Sequence, residues 1–275
     1  MRVMSWNLWW RFDCRHQVTV GTPPQGADRW QARERGIVST LQAVQPDIAG
    51  FQEVWATAET TQADRLAERL GMHAAFGAPS LPATPEPPHE PDHAGVEVGV
   101  AVLSRWPIVE VQQVPLPSGH RPNIVALAVA VDHPGGPLHV VASCIDWEAH
   151  LAEQRGAQTR VLARLLTDLS SDGPALLTAD LNAPPTAPEV QVLTEVTVDS
   201  WTAAGGTADG GHTLTSRNPL APREAWQLDQ RIDYVLVRPA PSERAMVVEQ
   251  AFLAGEAHDG VHASDHYAVV ADVRL

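Results

Sequence analysis

The chain has 275 residues, 44% of them hydrophobic, and its 19 basic against 33 acidic residues give a formal net charge of -14. That hydrophobic share excludes a disordered chain, and the length is enough to bury a large core. The acidity and the lack of any basic run argue against a general nucleic-acid coat protein, but not against phosphate chemistry in which a metal ion supplies the positive charge and the protein supplies carboxylates.

Residues 2–8 read as an opening strand, and residues 30–44 have helical spacing, with Ile37, Leu41 and Val44 on one side and charges opposite. Pro46-Asp47 breaks this helix, and residues 48–54 follow as a buried strand. Residues 58–70 form a second amphipathic helix, ended by Gly71. Residues 79–95 are dense in proline, with His89, Glu90, Asp92 and His93, and read as a loop with too few apolar residues to pack. Four β-branched runs come next, at 96–103, 109–114, 124–131 and 138–145, with turn residues such as His133-Pro134-Gly135-Gly136 between them. A long helix is expected over 148–169 and a short buried strand over 175–178, ended by Asn182-Ala183-Pro184-Pro185. Residues 199–230 are Gly-, Trp- and Pro-rich and irregular, and the last strands fall at 232–237, 245–253 and 267–273. With no internal repeat and no linker, the expectation is one α/β domain over residues 1–275 built on two sheets.

Two cysteines, Cys14 and Cys144, make neither a disulfide framework nor a CxxC zinc site. The N-terminus lacks a basic stretch followed by an apolar run, and no apolar run reaches the roughly 18 residues of a membrane span. A cytoplasmic monomer without a transmembrane segment is expected.

Several polar residues close apolar strands. Asn7 follows residues 3–6, Glu53 follows 48–52, Asp180 and Asn182 follow 176–179, and Asp265 and His266 precede the closing strand, with Asp233 inside the strand after Arg231. One such residue is usually a cap or turn former. Five such places rich in carboxylates and amides imply converging strand ends, where α/β proteins build sites. The donors suit a hard divalent cation: Asn7, Glu53 and Asp265 offer oxygen, Asp180 and Asn182 can hold a water, and His266 can donate to a phosphoryl oxygen with Asp233 orienting it.

The motifs Ser5-Trp6-Asn7-Leu8, Pro46-Asp47 leading to Phe51-Gln52-Glu53-Val54, and Val100-Ala101-Val102-Leu103-Ser104-Arg105-Trp106-Pro107-Ile108 occur in that order, followed by Ala179-Asp180-Leu181-Asn182, Gly211-His212-Thr213, Arg231-Ile232-Asp233-Tyr234-Val235 and Ser264-Asp265-His266. In this set and order the chain resembles the endonuclease/exonuclease/phosphatase family. These metal-dependent phosphoesterases include pancreatic deoxyribonuclease, apurinic endonucleases, neutral sphingomyelinases and inositol polyphosphate phosphatases. Each motif alone is weak; seven in order cover essentially the whole chain. The resemblance implies a four-layered α/β sandwich, two mixed β-sheets packed face to face with helices on both outer faces. It implies Glu53 as the principal metal-binding carboxylate with Asn7 beside it, Asp265 as a further metal or water-network carboxylate, and Mg2+ (or Mn2+) as the ion. Asp180 resembles the base that aligns or deprotonates the attacking water, Asn182 a contact to phosphate or that water, and His266, paired with Asp233, the imidazole that stabilises the developing charge.

Two positions depart from the family pattern. Ala179 stands where the family has Gly, which matters only if the backbone there needs a positive φ. Cys144 stands where many members carry a His that contacts phosphate and serves the leaving group. A thiol is a poor proton donor to an alkoxide, so substrates with a good leaving group, or another acid, are expected; Asp146 and His150 are weaker substitutes.

Asp233 as a plain ion-pair partner of Arg231 competes with its role beside His266. Arg155 and Gln158 read as an exposed or packing face of the long helix, and Gly260 makes a helical zinc array of His258, His262 and His266 improbable. Of nine tryptophans, Trp6, Trp30, Trp106 and Trp201 read as core or core edge. Trp9, Trp10, Trp55, Trp147 and Trp226 follow strand ends on the presumed site face, as loop packing or as an aromatic rim that stacks a base or an apolar leaving group. Cys144, Arg121 and Trp147 are candidate substrate contacts. The expected reaction is hydrolysis of a small phosphodiester or phosphomonoester. A DNA or RNA nuclease, disfavoured by the acidity, and a non-catalytic binding module with Cys144 at the His position are the alternatives.

Overall fold

The computed structural model describes residues 1–10, 27–81, 94–119, 124–207, 209–241 and 247–274. Cys14, Arg121 and most of the 79–95 loop, including His89, Glu90, Asp92 and His93, lie outside the described residues. In chain order the elements are β1 (Arg2–Asn7), α1 (Ala27–Val44), β2 (Ile48–Ala56), α2 (Gln62–Leu70), β3 (His73–Gly77), β4 (Glu97–Ser104), β5 (Ile108–Leu116), β6 (Ile124–His133) and β7 (Gly136–Cys144). A 3-10 turn (Ala149–Leu151) then leads to α3 (Ala152–Leu169), β8 (Ala175–Asp180), α4 (Pro188–Thr194), β9 (Val198–Asp199), α5 (Ser200–Ala203), β10 (Asp233–Arg238), β11 (Val247–Ala254) and β12 (Ala268–Arg274).

The strands form two six-stranded sheets, ordered β11-β12-β1-β2-β4-β3 and β5-β6-β7-β8-β10-β9. Each holds one parallel pair, β1 with β2 and β7 with β8, among antiparallel neighbours. A right-length helix crosses over each parallel pair, α1 between β1 and β2 and α3 between β7 and β8. The sheets face each other with helices outside, the four-layered α/β sandwich expected.

Because the central strands are covered on both faces, alternation sorts their side chains between two cores. Val3 and Ile48 join Val140, Leu176 and Val235 between the sheets. Their neighbours Met4, Trp6, Ala49 and Phe51 pack outward against Ile37, Leu41 and Val44 of α1, the stripe expected from its spacing. The sheets come closest where β2 passes β8: a Cβ on Gly50 would lie 1.7 Å from Thr178 Oγ1. Replacing Gly50 by alanine should therefore destabilise the fold by about 2–4 kcal/mol, read as a lower denaturant midpoint.

Three elements depart from expectation. Strand β3, residues HAAFG, lacks the β-branched run that marks its neighbours, yet pairs along β4. Helix α2 starts at Gln62 rather than at 58, because Thr61 caps it: its hydroxyl accepts from Asp64 N at 3.0 Å while Asp64 Oδ2 accepts from Thr61 N at 3.3 Å. Residues 199–230, expected to be irregular, begin with the end of β9 and the short α5, capped by Asp199.

Candidate active site

Register places the polar strand ends together. In the second sheet Cys144 pairs with Asp180, and Asp180 with Asp233, so the three form one row across β7, β8 and β10. Asp180 is in phase with Thr178, the residue that meets Gly50 of the opposite sheet, so the row faces inward. In the first sheet Asn7 is in phase with inward-facing Val3 and closes β1 opposite that row. The two parallel pairs thus send their C-terminal ends to the same edge of the sandwich.

Strict alternation would turn Glu53 away from this edge, because its neighbour Gln52 is the inward residue and donates to Thr178 O at 3.2 Å. A bulge in β2 between Phe51 and Val54 reverses it. There Glu53 adopts φ 56, a left-handed conformation uncommon for a non-glycine residue. Its carboxylate then meets Asn7, whose Nδ2 donates to Glu53 Oε1 and to Asp180 Oδ2, both at 3.0 Å. Asn7 joins the two sheets through these bonds. Asn182 also has a left-handed backbone, with φ 49; its backbone N–H donates to Asp180 Oδ1 at 3.0 Å. Ala179 is not among the residues of positive φ, so losing the family's glycine there costs the backbone nothing.

His266 reaches the row from the loop before β12. Its Nδ1 lies 2.8 Å from Asp233 Oδ2, which leaves Nε2 as the nitrogen that can meet a ligand. Ser264 fixes this loop: its hydroxyl donates to Asn7 O at 2.6 Å and accepts from His266 N at 3.1 Å. Thr213 clasps the other side, its hydroxyl accepting from Ile232 N and Asp233 N at 3.0 and 3.1 Å and its carbonyl from Tyr267 N at 2.8 Å. The Gly211-His212-Thr213 motif is therefore a backbone clasp.

These groups open on a cleft of about 710 Å³. Glu53, Asp180, Asn182, Asp265, His266 and Cys144 line it, together with Trp147, Ala225 and Trp226. Asp180 and Asp233 are fully buried, whereas Glu53 is half-buried and open to the cleft. Burial and the charge of Asp265 push the Glu53 carboxyl up to about 8, offset in part by the Asn7 hydrogen bond. Burial and the charge of Asp233 push Asp180 up to about 7. Burial disfavours a charged His266, but Asp233, by charge and hydrogen bond, and then Asp265 hold its pKa well above the ordinary imidazole range. Burial, then the charges of Asp180 and Glu53, raise the Cys144 thiol well above its usual value. Cys144 is thus a neutral, inert thiol with Sγ 4.0 Å from Asp180 Oδ2.

The donor set fits a hard divalent cation. Ligand atoms of Asp180, Asp233 and His266 lie within 4.8 Å of one another. Among the described residues, Asp233 Oδ1 is buried without a hydrogen-bond partner, and the upward shifts of Glu53 and Asp180 mark negative charge gathered without enough positive charge to balance it. The site has the capacity for a divalent metal ion.

Several sequence expectations are corrected. Arg231 pairs with Asp199 at 2.7 Å, which leaves Asp233 to His266. Of the two alternatives for Arg155 and Gln158, the packing face holds and the exposed one does not: Arg155 pairs with Glu189 at 2.8 Å, and Gln158 Nε2 donates to Asp146 Oδ2 at 2.7 Å. Asp146 is engaged there and His150 is exposed, so neither is placed to substitute for Cys144. Trp55 is not on the site face; β2 runs past it to Ala56, and it packs edge-on against Trp30 at 6.2 Å in the outer core. His258 lies in a hairpin bridged to Val261, in keeping with the expectation that it belongs to no helical array.

Two residues of the site escaped sequence reading. Arg33 is buried, donating to Leu8 O at 2.8 Å, Trp10 O at 3.1 Å and Ala263 O at 2.9 Å, and so ties the end of β1 to the His266 loop. Its signal was its place four residues before Ile37 on the α1 stripe. Gln227, in the stretch read as irregular, donates to Asn182 Oδ1 at 3.2 Å; no periodicity marks it.

A model of the "Endonuclease/Exonuclease/phosphatase family" matches residues 4–266. Among curated proteins, no significant match is found. Among solved structures, an endonuclease/exonuclease/phosphatase from Beutenbergia cavernae DSM 12333 is 26% identical, with a TM-score of 0.70, over 100% of this chain and 71% of that one. TDP2 of D. rerio, complexed with single-strand DNA product, is 17% identical with a TM-score of 0.74, over 100% and 99% of the two chains. The human Nocturnin catalytic domain with bound sulfate anion is 20% identical with a TM-score of 0.73, over 100% and 93%. The chain belongs to the endonuclease/exonuclease/phosphatase family and is a metal-dependent hydrolase of phosphate-ester bonds.

Proposed function

We propose, with that family membership as the premise, that the chain hydrolyses a small phosphodiester or phosphomonoester by in-line attack of a water aligned at Asp180. The observation that carries the reading is the bridge made by Asn7 between Glu53 and Asp180, set opposite the Asp233–His266 pair in one cleft.

Glu53 and Asn7, with Asp265 beside them, are the residues that would hold Mg2+ or Mn2+. Asp233 and His266 are engaged with each other, and Asp180 accepts from Asn7 and Asn182, whereas Glu53 is open to the cleft. When bound, such an ion neutralises charge on a phosphoryl oxygen. Asp180 accepts the proton of the attacking water, a task that its pKa near 7 suits. Asn182 contacts the phosphate or that water. His266, held charged by Asp233, donates from Nε2 to the oxygen on which negative charge grows. Cys144 holds its proton more tightly than an ordinary thiol and carries no charge, so good leaving groups are favoured.

A small substrate is favoured by where the positive charge sits. All 19 basic residues are arginine. Arg2, Arg33, Arg65, Arg105, Arg155 and Arg231 are each bound to carboxylates or carbonyls of the protein. Among the described residues lining the cleft, the only basic side chain is His266. A duplex backbone needs several phosphate contacts and finds little here, whereas Trp147, half exposed, offers an apolar wall to the group that the phosphate carries. Among the described residues, no helix is long and apolar enough to cross a membrane.

The test is hydrolysis of bis-p-nitrophenyl phosphate, methyl p-nitrophenyl phosphate, a plasmid and a single-stranded oligonucleotide, each with Mg2+, Mn2+ or EDTA. Metal-dependent turnover of the small diesters with the plasmid left intact is expected. Cys144→His should raise turnover of a substrate with an alkoxide leaving group about tenfold while changing that of bis-p-nitrophenyl phosphate little. Plasmid nicking that outpaces small-diester turnover would make the protein a nuclease instead.

A further inference from the structure

Asn182 is held at three atoms. Its backbone N–H donates to Asp180 Oδ1 at 3.0 Å, its Nδ2 donates to Ile145 O at 3.0 Å, and its Oδ1 accepts from Gln227 Nε2 at 3.2 Å. Gln227 is buried and uses the same nitrogen to donate to Trp147 O at 2.9 Å, an oxygen that also accepts from Trp226 Nε1 at 2.8 Å. The two hydrogens of the Gln227 amide thus have two acceptors, one on the aromatic wall and one on Asn182.

This arrangement admits only one orientation of the Asn182 amide. Turned over, Nδ2 would face the donor Nε2 of Gln227, and Oδ1 would face the acceptor Ile145 O. Two hydrogen bonds would become two like-with-like contacts in a buried place. With Oδ1 turned toward Gln227 Nε2 and one hydrogen of Nδ2 spent on Ile145 O, the second Nδ2 hydrogen is the donor that remains for a ligand. Asn182 therefore meets a ligand as a donor, toward a phosphoryl oxygen or a lone pair of the attacking water, and cannot accept that water's proton. The acceptor role falls to Asp180 alone.

We propose that Gln227 is a positioning residue for the reaction: it locks the Asn182 amide as a donor into the cleft and ties that lock to the backbone that carries Trp147. The proposal rests on the phosphoesterase reading above. It makes Gln227 act through Asn182, without touching the substrate, and it explains why a glutamine is buried in an otherwise irregular segment.

The test is a double-mutant cycle on metal-dependent turnover of bis-p-nitrophenyl phosphate, with Gln227→Met and Asn182→Ala. Met matches glutamine in size and donates nothing. Gln227→Met should lower kcat about 10- to 100-fold with KM within about twofold, less than the loss on deleting a charge-stabilising donor outright. In the Asn182→Ala background the same substitution should have no further effect on kcat. Gln227→Glu, which keeps the shape and removes the donors, should reproduce the loss and serves if the methionine variant unfolds. Thermal unfolding of each variant separates loss of fold from loss of turnover. An unchanged kcat in Gln227→Met, or a full additive loss in the Asn182→Ala background, would overturn the positioning role. A wild-type protein with no turnover would instead overturn the phosphoesterase reading itself.

Discussion

Replacing His266 by glutamine is expected to lower kcat on a phosphodiester by about 10³-fold, with the fold intact. The imidazole is buried beside Asp233, with Nδ1 2.8 Å from its carboxylate, and the surrounding carboxylates hold it charged. Its Nε2 is then a fixed cationic donor in the cleft, already oriented before substrate arrives. Glutamine keeps a donor but loses the charge and the bond to Asp233. Asp233→Asn should lose nearly as much, because the amide no longer holds the proton on the imidazole. The two losses should not add: the double variant should be about as slow as the worse single variant, as for residues that act as a unit. Steady-state kinetics of the two single variants and the double variant check this. Independent, additive losses would mean that Asp233 serves some end other than His266.

Glu53→Gln is expected to abolish metal-dependent stabilisation and metal-dependent turnover together. The sign of the pH effect follows from the shifts. Glu53 and Asp180 are pushed up to about 8 and about 7, above their ordinary values of 4.5 and 3.8. The metal-free fold therefore binds protons more tightly than the unfolded chain does. The stability this contributes is complete below the ordinary values and is lost as pH rises through about 7 and 8. Divalent cations bind the deprotonated carboxylates, so their affinity rises over the same interval. At pH 8.5, Mg2+ or Mn2+ at about a hundred times Kd should raise Tm by roughly 5 °C, and at pH 5.5 the shift should nearly vanish. Glu53→Gln removes the charge and should make the metal-free protein more stable than wild type at pH 8.5, with no shift on adding metal. Thermal unfolding with and without EDTA at the two pH values measures both effects.

Most of the fold was legible because the central strands of both sheets are covered, so they are written as nearly unbroken apolar runs with a polar residue at one end. The proposed site draws on polar residues at strand ends: Asn7 and Asp180 close β1 and β8 and Asp233 opens β10, and they could be picked out because period-two alternation places them in phase with core neighbours. Glu53 was picked out as well, but not how it reaches the cleft. Its alternation points the wrong way, and only the bulge at Phe51–Val54 corrects it. Trp55 was misplaced for a related reason, since β2 continues past the bulge to Ala56. Strand β3 stayed hidden because two alanines and a glycine carry little β signal, although the partner strand β4 was clear. Arg33 and Gln227 stayed hidden because a buried polar residue is defined by distant acceptors, the carbonyls of Leu8, Trp10 and Ala263 for one and Trp147 and Asn182 for the other. Local sequence holds no trace of such partners. The departure at Cys144 was visible from the start. What the structure adds is that its neighbours Asp180 and Glu53, together with its burial, keep the thiol neutral, so it replaces a proton donor by an inert wall.

The central claim is that one cleft both holds a divalent cation on Glu53 and uses it in hydrolysis. Titration of Mn2+ into the metal-free wild-type and Glu53→Gln proteins at pH 8, with turnover of bis-p-nitrophenyl phosphate followed across the same titration, tests it most directly. Turnover that rises with occupancy of a site present in wild type and missing in Glu53→Gln is the predicted result. Equal Mn2+ binding by the two proteins, or turnover that persists in EDTA, would contradict it.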